Sequence, residues 1–300
     1  MDHSILFANY ATISNFELSV VQSCYNQKKY EPPHTHEFYE LVLVESGNGY
    51  HIFMDEKYEI GAGNIFLIKP QQVHAYESID NLTLVSIIFF PSILDPLIRD
   101  FNDLPGFQLL FNVEPMFDAK QRHAGKLRIN EEILPVAIEI TETMQYEFKN
   151  QKNGFKIACI NCFWELLLLI SRNCKIADDF KFHYAPKIGL VLSYMEKHFK
   201  DNINLTLLAQ VAGMSVRTFR RRFIEAQKVS PITYLLHLRL KKAAIMMRSS
   251  TFMISEISGE CGFHDSNYFS HQFTKIYKMS PNRYRKNRLD NYFLNSNAKF

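Results

Sequence analysis

The feature that most constrains this chain of 300 residues is an internal repeat in its last third. Aromatic and turn-forming residues recur after 50 positions: Phe219, Phe223, Ser230, Pro231 and Tyr234 reappear as Phe269, Phe273, Ser280, Pro281 and Tyr284. Upstream, apolar residues and a glycine recur after 49 positions: Leu205, Leu208 and Gly213 reappear as Ile254, Ile257 and Gly262. Such self-similarity indicates one supersecondary unit built twice.

Each copy predicts a short helix, a turn that contains glycine, and a second helix. Apolar residues of the first helix recur every three to four positions. Gly213 or Gly262 then ends that helix, because glycine tolerates a positive φ. Small polar residues stand where helix caps are expected: Thr206 and Ser255 for the first helix, and Ser215 with Asp265 or Ser266 for the second. This order of elements is a helix-turn-helix, whose second helix enters the major groove of DNA.

The second helix of each unit has a polar face that is expected to project outward. In the first unit, Val216, Phe219 and Phe223 share one stripe and are expected to face the core. The candidate DNA contacts are the outward residues of both helices: Arg217, Arg220, Arg221, Asn267, Ser270 and His271. Arginine pairs bidentately with guanine, and asparagine can read adenine. The alternative interpretation is that both faces are merely solvated.

Charge and spacing also favour double-stranded DNA as a partner. Residues 183–290 hold 18 Lys and Arg against 7 Asp and Glu, a net +11, which leaves −8 elsewhere out of a total of +3. The helix predicted from Pro231 to about Arg248 would span about 27 Å, which suits a spacer between helices in successive major grooves about 34 Å apart. Nearby basic residues are candidates for phosphate contacts or for solubility alone: Arg239, Lys241, Lys242, Arg283, Arg285 and Lys286.

The stretch from Ile203 to Arg285 resembles the DNA-binding domain of AraC/XylS-type transcription regulators. The resemblance is carried by LAQVAGMSVRTFRRRF, KVSPITYLLHLRLKKA, ISEISGECGFHDSNYFSHQF and KMSPNRYR, which cover about a third of the chain. It implies base reading by residues 217, 220 and 221 of the first unit and 267, 270 and 271 of the second. The sequence departs from the family at His271, where arginine is commoner.

The N-terminal part has a different pattern. From Glu31 to about Phe90, short alternating runs such as FYELVLV, YHIFM and NIFLIKP are broken by glycine and proline. This punctuation predicts a small β-barrel or sandwich. The expected fold is therefore multidomain: an all-β barrel with flanking helices, then an all-α double helix-turn-helix domain. Barrels of this kind commonly enclose one small ligand.

Histidines, tyrosines and a glutamate on these strands are the candidate effector contacts: His34, His36, Glu40, Tyr50, His74 and Tyr76. His34 and His36 are two residues apart, so they face the same side of a strand. The string HTHEFYE followed by Gly47 resembles the first cupin metal motif, whereas PQQVH is shorter than the second motif and lacks its glycine and asparagine. The same string resembles the ligand-binding barrel of AraC-type regulators, which implies a cupin-like pocket for a small molecule.

Three interpretations of this set stay open. The favoured one is a lined pocket for a polyhydroxylated ligand such as a sugar, because imidazoles, phenols and a carboxylate offer directional hydrogen bonds and flat apolar faces. The second is a metal site formed by His34, His36, Glu40 and His74, and the third is a purely structural role. Under the favoured interpretation we expect no cofactor and no metal.

Two helices are predicted between the domains, in NEEILPVAIEITETMQYEFKN and GFKIACINCFWELLLLISRNCK. The second is apolar around most of its circumference, so it either packs on the barrel or contributes to a homodimer, and the resemblance favours the dimer. The expected domains are a cupin-like effector-binding barrel at 1–125, a helical hairpin at 126–174, a linker at 175–185, the DNA-binding domain at 186–290 and a tail at 291–300.

Other features limit the class of protein. No Ser-His-Asp or Cys-His set and no Gly-rich phosphate loop can be assigned, so we expect no enzymatic activity. The longest apolar run, Leu166 to Ile170, is too short for a bilayer, no leader is evident, and the five cysteines are scattered. These features predict a cytoplasmic protein that does not contact membrane, with Cys159 and Cys162 as buried thiols.

The sequence predicts a sequence-specific DNA-binding transcription regulator that responds to a small-molecule effector. A cupin metalloenzyme with an appended DNA-binding domain is the alternative. A third possibility is that the helix pairs bind only other proteins, in which case the exposed arginines would be dispensable for nucleic-acid binding.

Overall fold

The computed structural model describes residues 3–5, 16–26, 30–53, 56–94, 98–113, 127–173, 175–176 and 184–286. The chain divides into two compact units, residues 1–193 with 225–227, and residues 194–224 with 228–300. Within the described ranges, no helix combines the length and the hydropathy that a membrane-spanning segment needs.

The first unit contains a sheet of nine described strands: β1 (His3–Ile5), β2 (Leu18–Tyr25), β3 (Tyr30–His36), β4 (Tyr39–Phe53), β5 (Glu56–Gly61), β6 (Asn64–Ile68), β7 (His74–Phe89), β8 (Leu127–Arg128) and β9 (Lys175–Ile176). All the pairings are antiparallel except that of β1 with β3. β9 forms the beginning of the predicted linker, while residues 177–183 of that linker and the predicted tail 291–300 lie outside the described residues.

The two longest strands, β4 and β7, pair with each other at the centre of this sheet. Their pairing extends from Tyr39 opposite Phe89 to Phe53 opposite His74. Along its free edge, β4 pairs first with β6 and then with β5, whereas β7 pairs first with β3 and then with β2. Register shifts in β4 between Val44 and Gly49 mark bulges, which bend a strand and increase its twist. The forked sheet closes over an apolar core, which confirms the predicted all-β domain.

The first unit also contains short helices and a helical hairpin. Their bounds are a 3₁₀ turn (Pro91–Leu94), α1 (Ile98–Asn102), α2 (Pro105–Gln108), a π-helical turn (Leu109–Val113), α3 (Leu134–Asn150) and α4 (Phe155–Asn173). The hairpin packs on the sheet: the ring centroid of Phe163 lies 5.0 Å from that of Phe89 on β7, and Phe16 contacts Phe155. Cys159 and Cys162 are buried free thiols in this hairpin, as predicted.

The remaining helices are α5 (Ala185–His198), α6 (Leu205–Val211), α7 (Val216–Gln227), α8 (Pro231–Ser249), α9 (Ile254–Glu260) and α10 (Ser266–Tyr277), followed by helical residues 281–286. The repeat is visible in the packing: Phe219 and Phe223 lie 5.6 Å apart, and their counterparts Phe269 and Phe273 lie 5.7 Å apart. All four rings are buried. The predicted double helix-turn-helix domain is thereby confirmed.

Only some of the helix caps in this domain are those predicted from the sequence. Ser215 and Asp265 cap α7 and α10 as expected, each accepting hydrogen bonds from backbone N–H groups of the first turn. Thr206 and Ser255 are not the caps of α6 and α9. The side chain of Asn204 caps α6, and α9 begins after Met253, whose N–H donates to Glu256.

Val216 was expected in the core, and this prediction was wrong because Val216 is 39% exposed. It is the first residue of α7, so it lies at the rim of the stripe formed by Phe219 and Phe223.

The two turn glycines both have a positive φ, 58° for Gly213 and 77° for Gly262, but their surroundings differ. A Cβ on Gly262 would lie 2.7 Å from the carbonyl oxygen of Lys200, whereas a Cβ on Gly213 would meet nothing within 4 Å. Gly213→Ala is therefore expected to cost about 1 to 2 kcal/mol from backbone strain alone. Gly262→Ala is expected to cost at least about 1 kcal/mol more because of the clash. Thermal denaturation of the variants measures the difference.

Gly259→Ala is the matched control, because Gly259 lies within α9 with open space around it. Alanine stabilises a helix interior by up to about 1 kcal/mol relative to glycine, so the control should melt no lower than the wild type. Equal losses in Gly213→Ala and Gly262→Ala would show that the close approach to Lys200 is unimportant.

Candidate effector site and candidate DNA-binding surface

Strand geometry brings three histidines and a glutamate together inside the first unit. Alternation along β3 turns His34 and His36 to the same side, and both are buried. The register of β3 with β7 places His34 opposite His74, so the centroids of their rings are 4.1 Å apart. Glu40, near the start of β4, completes the group and is also buried.

Backbone carbonyls fix the orientation of all three imidazole rings. The Nδ1 atoms of His34, His36 and His74 lie 3.1, 2.8 and 3.3 Å from the carbonyl oxygens of Pro32, Phe38 and Gln72. A carbonyl oxygen only accepts, so each Nδ1 carries a proton and donates. In the neutral ring, the Nε2 atom then presents a lone pair. The cluster therefore offers three oriented nitrogen acceptors.

The carboxylate of Glu40 lies between two of these rings. Its Oε2 is 3.1 Å from Nε2 of His36 and 3.5 Å from Nε2 of His74. Burial alone would raise the pKa of Glu40, but the contacts with His36 and His74 outweigh it and hold that pKa well below its usual range. Burial and the neighbouring His74 lower the pKa of His34. The site thus holds a buried negative charge beside a neutral imidazole.

A cleft of about 380 Å³, including the solvent at its mouth, opens beside this cluster. Its polar lining comprises Tyr25, Glu31, His34, His36, Glu40 and Tyr76, together with Ser23 and Ser86. Four of the six predicted effector contacts therefore line one cleft, and His74 on β7 contacts all four of them.

Tyr50 was predicted to belong to this set, and the structure places it elsewhere. Tyr50 lies on the face of β4 opposite to that of His51. Nζ of Lys57, on the paired strand β5, lies 4.0 Å from the centroid of the Tyr50 ring. The register shifts of β4 between Val44 and Gly49 explain the difference: strict alternation would put Tyr50 on the face of Glu40, whereas beyond the bulges His51 takes the buried side and Tyr50 the other. Tyr50 is therefore not one of the described residues that line the cleft.

Sequence reasoning missed three residues of the site. The phenol of Tyr25 donates a short hydrogen bond to Glu31, and burial followed by the charge of Glu31 raises the pKa of that phenol. The ring of His51 stacks on Phe66 and Tyr76 at 4.4 and 5.3 Å. The alternation HIF in β4 was a usable signal for His51. Tyr25 and Glu31 are brought together by pairings with β7 that the local pattern does not reveal.

The candidate DNA-binding surface is formed by α7 and α10. Arg217, Arg220 and Arg221 are exposed on α7, outside the buried stripe of Phe219 and Phe223. On α10, Asn267 and His271 are exposed in the same manner, whereas Ser270 is half-buried and its carbonyl accepts a hydrogen bond from Thr274. Five of the six predicted base-reading residues are therefore exposed.

Two basic residues suggested as phosphate contacts have structural partners instead. Arg239 donates to the carbonyl oxygens of Phe199 and Asp201 at 2.7 and 2.8 Å. Nζ of Lys242 lies 2.7 Å from a carboxylate oxygen of Glu196, and both side chains are largely buried. Lys241, between them in position, is exposed. It is the better candidate on α8 for contact with a phosphate.

Comparison with known proteins agrees with the two domains. The sequence profile of the AraC-like ligand binding domain matches residues 15–151, and that of a helix-turn-helix domain matches residues 208–287. Two relatives named HTH-type transcriptional activator RhaS, from Escherichia coli O81 (strain ED1a) and from Escherichia coli O1:K1 / APEC, are 28% identical over 259 residues. The match covers 86% of this chain and 88% of each relative.

Solved structures are also similar in part. The C-terminal domain of the two-component response regulator yesN from Fusobacterium nucleatum is 28% identical, covers 32% of this chain and 94% of its own, and has a TM-score of 0.31. ToxT from Vibrio cholerae strain SCE256, bound to an unsaturated fatty acid, is 14% identical over 90% of this chain and 95% of its own, with a TM-score of 0.33. On the two domain profiles and the RhaS relatives, the chain belongs to the AraC family of DNA-binding transcription regulators.

Proposed function

We propose that the protein is a transcription regulator that binds a small polar effector in the β-domain and reads DNA with α7 and α10. The observation that carries this proposal is the repeat of two helix-turn-helix units with identical buried phenylalanine pairs and exposed polar faces. Packing alone explains the buried pairs. It does not explain why both second helices keep exposed side chains that pair with bases or phosphates.

The two units are expected to contribute differently to DNA binding. Arg217, Arg220 and Arg221 on α7 supply three positive charges and the planar donors that match guanine. Asn267, Ser270 and His271 on α10 supply hydrogen-bonding groups without a fixed charge. The long helix α8 stands between the two units in sequence and spans 19 residues, about 28 Å. That length suits recognition of two half-sites one helical turn apart.

Arg217→Ala is expected to relax base preference at one position of the selected DNA site and to weaken binding by about 1 to 3 kcal/mol. The measurement is selection of sites from a randomised library, followed by fluorescence anisotropy at several salt concentrations. Wild-type affinity should fall steeply with salt, because phosphate contacts release counterions.

Lys241→Ala is the control, because Lys241 is exposed on α8 and can contact only the backbone of DNA in this proposal. It should weaken binding to all sites alike and leave the selected sequence unchanged. A wild-type protein that selects no sequence, or whose affinity does not depend on salt, would contradict the assignment of α7 and α10 as readers of DNA.

The effector is proposed to be a small polyhydroxylated molecule such as a sugar. The cleft presents two phenols, two carboxylates and two imidazoles from Tyr25, Tyr76, Glu31, Glu40, His34 and His36. Such groups form directional hydrogen bonds with hydroxyl groups, and the aromatic faces cover their apolar carbons. Binding would act on transcription only as far as the effector distinguishes two conformational or dimeric states of the protein.

Glu31→Ala is expected to weaken effector binding at least tenfold, since each hydrogen bond to a charged group contributes about 1.5 to 3 kcal/mol. A thermal-shift screen with monosaccharides and sugar acids identifies the effector, and isothermal titration measures its Kd in each variant. Tyr50→Phe, on the other side of β4, should bind like the wild type. An effector that binds both variants equally would place the binding site outside the cleft.

A homodimer is proposed to form through the helical hairpin. Most of the apolar surface of α4 is buried within the first unit, yet Ile157 is 67% exposed. Val136 and Tyr146 on α3 are 43% and 52% exposed. Ile157 lies on a stripe with half-buried Trp164 and Leu168, at the spacing of a helix-packing face. Exposed apolar patches of this kind mark interfaces.

Ile157→Glu is expected to convert the dimer into a monomer, because a charge would be buried in the interface. Size-exclusion chromatography with light scattering measures the mass of the wild type and the variant. Arg172→Glu, an exposed position near the end of α4, introduces the same side chain and should stay dimeric. A monomeric wild type would contradict the proposed dimer.

A protein that reads genomic DNA in this way is proposed to be cytoplasmic.

A further inference from the structure

Three buried ligand atoms converge beside the effector cleft. Nε2 of His36, Nε2 of His74 and a carboxylate oxygen of Glu40 lie within 4.8 Å of one another, and they form the one such group found among the described residues. All three residues are buried. His34, the fourth residue suggested by the sequence, contacts His74 with its ring tilted by 58° and is not part of this group.

The hydrogen bonds of these rings leave a deficit of positive charge. His36 and His74 each donate from Nδ1 to a backbone carbonyl, so in their neutral forms both direct the Nε2 lone pair into the cluster. The same space holds the carboxylate of Glu40. In those neutral forms two lone pairs face the carboxylate, and a buried charge without a positive partner is costly. A cation between the three atoms removes this cost.

The direction of the contacts around Glu40 fits a shared metal ion better than a direct hydrogen bond. Nε2 of His36 lies only 3.1 Å from Oε2 of Glu40, yet it makes no hydrogen bond. At this separation a hydrogen bond fails by direction and not by length. Ligand atoms bound at about 2.1 Å to one ion lie about 3.0 to 3.4 Å from each other, and each points at the ion and not at its neighbour. The contact of 3.1 Å between His36 and Glu40 falls within this spacing, and that of 3.5 Å between His74 and Glu40 lies just above it.

We propose that Nε2 of His36, Nε2 of His74 and the carboxylate of Glu40 bind a divalent first-row transition metal ion. Two imidazoles and one carboxylate suit zinc, iron, cobalt, nickel or manganese, whereas Mg²⁺ and Ca²⁺ prefer oxygen ligands alone. The carbonyls of Phe38 and Gln72 are the outer partners that hold the two rings in the required tautomer. The backbone therefore orients the site before the ion arrives.

Three protein ligands leave coordination positions open, as in other sites with two histidines and one carboxylate. His36 and Glu40 also line the effector cleft, so the open positions face the space proposed for the effector. Oxygen atoms of a bound effector can occupy these positions. This role of the ion rests on the proposed function, whereas binding of the ion itself does not.

The test uses the full chain without an affinity tag, after removal of metal with EDTA. Addition of Co²⁺ is expected to give one bound ion per chain, visible absorption bands from Co²⁺ bound to nitrogen, and a higher Tm. Zn²⁺ should displace the Co²⁺ and abolish the bands. A wild-type protein that binds no Co²⁺ or Zn²⁺ at micromolar concentration would overturn the proposal.

Variants locate the ion. Glu40→Gln and His74→Gln are expected to lose metal affinity by more than tenfold, since even outer partners of metal ligands contribute tenfold or more. Glu31→Gln, in the same cleft but outside the three ligands, should bind Co²⁺ like the wild type. Circular dichroism checks that each variant is folded, and the spectrum of the wild type decides the question should a variant unfold.

The same variants separate this proposal from the effector proposal. Loss of effector binding in Glu31→Ala together with full Co²⁺ binding supports both. Equal Co²⁺ binding by Glu40→Gln, His74→Gln and the wild type would place the ion elsewhere and overturn the metal site, while the effector assignment stays intact.

Discussion

The site in the first unit depends on the antiparallel pairing of β4 with β7. This pairing sets Phe53 opposite His74, His51 opposite Tyr76 and Glu40 opposite Ile88. Because the period of a strand is two, a slip of one residue would turn all of these side chains to the other face. The apolar residues Val42, Val44 and Leu84 of the same two strands are buried in one core. Packing of that core therefore also fixes the register of the polar cluster.

A buried polar cluster is costly, and its composition shows how the cost is limited. Each of the three histidines satisfies Nδ1 locally, through a carbonyl two residues away along its own strand or turn. Within the described part of the chain, Glu40 has no hydrogen bond to the backbone and depends on the imidazoles beside it. The charge of Glu40 is thus the part of the site that most requires a bound cation or ligand. We infer that an occupied site stabilises the β-domain more than an ordinary surface ligand would, since it also removes this internal cost.

Local patterns predicted much of the fold. The repeat of Phe219 and Phe223 at Phe269 and Phe273 identified both helix-turn-helix units, because helix periodicity is set by residues close in sequence. The same reasoning failed at helix ends: Asn204 and Glu256 form the caps that Thr206 and Ser255 were expected to provide. It also failed across the sheet, where Tyr25 and Glu31 meet only through pairings with β7. Tyr50 was misplaced because bulges between Val44 and Gly49 reverse the facing of β4, so that His51 and not Tyr50 lies on the inner side. Contacts between distant strands depend on register, which the sequence of one strand does not state.

The two helix-turn-helix units have equivalent core residues but different exposed residues. Edge-on contacts of Tyr234 with Phe223 and of Tyr284 with Phe273, at 5.7 and 5.3 Å, show that packing keeps the repeated residues similar. Outward positions have no such constraint, so α7 presents Arg217, Arg220 and Arg221 where α10 presents neutral groups. Positive charge sets the affinity for phosphate and the dependence of DNA binding on salt. Neutral donors and acceptors discriminate between bases and have little effect on phosphate affinity or on the salt dependence. We therefore expect α7 to supply most of the binding free energy and α10 to refine the sequence that is bound. An effector that alters the presentation of α10 alone would then change which sites are occupied more than how tightly DNA is held.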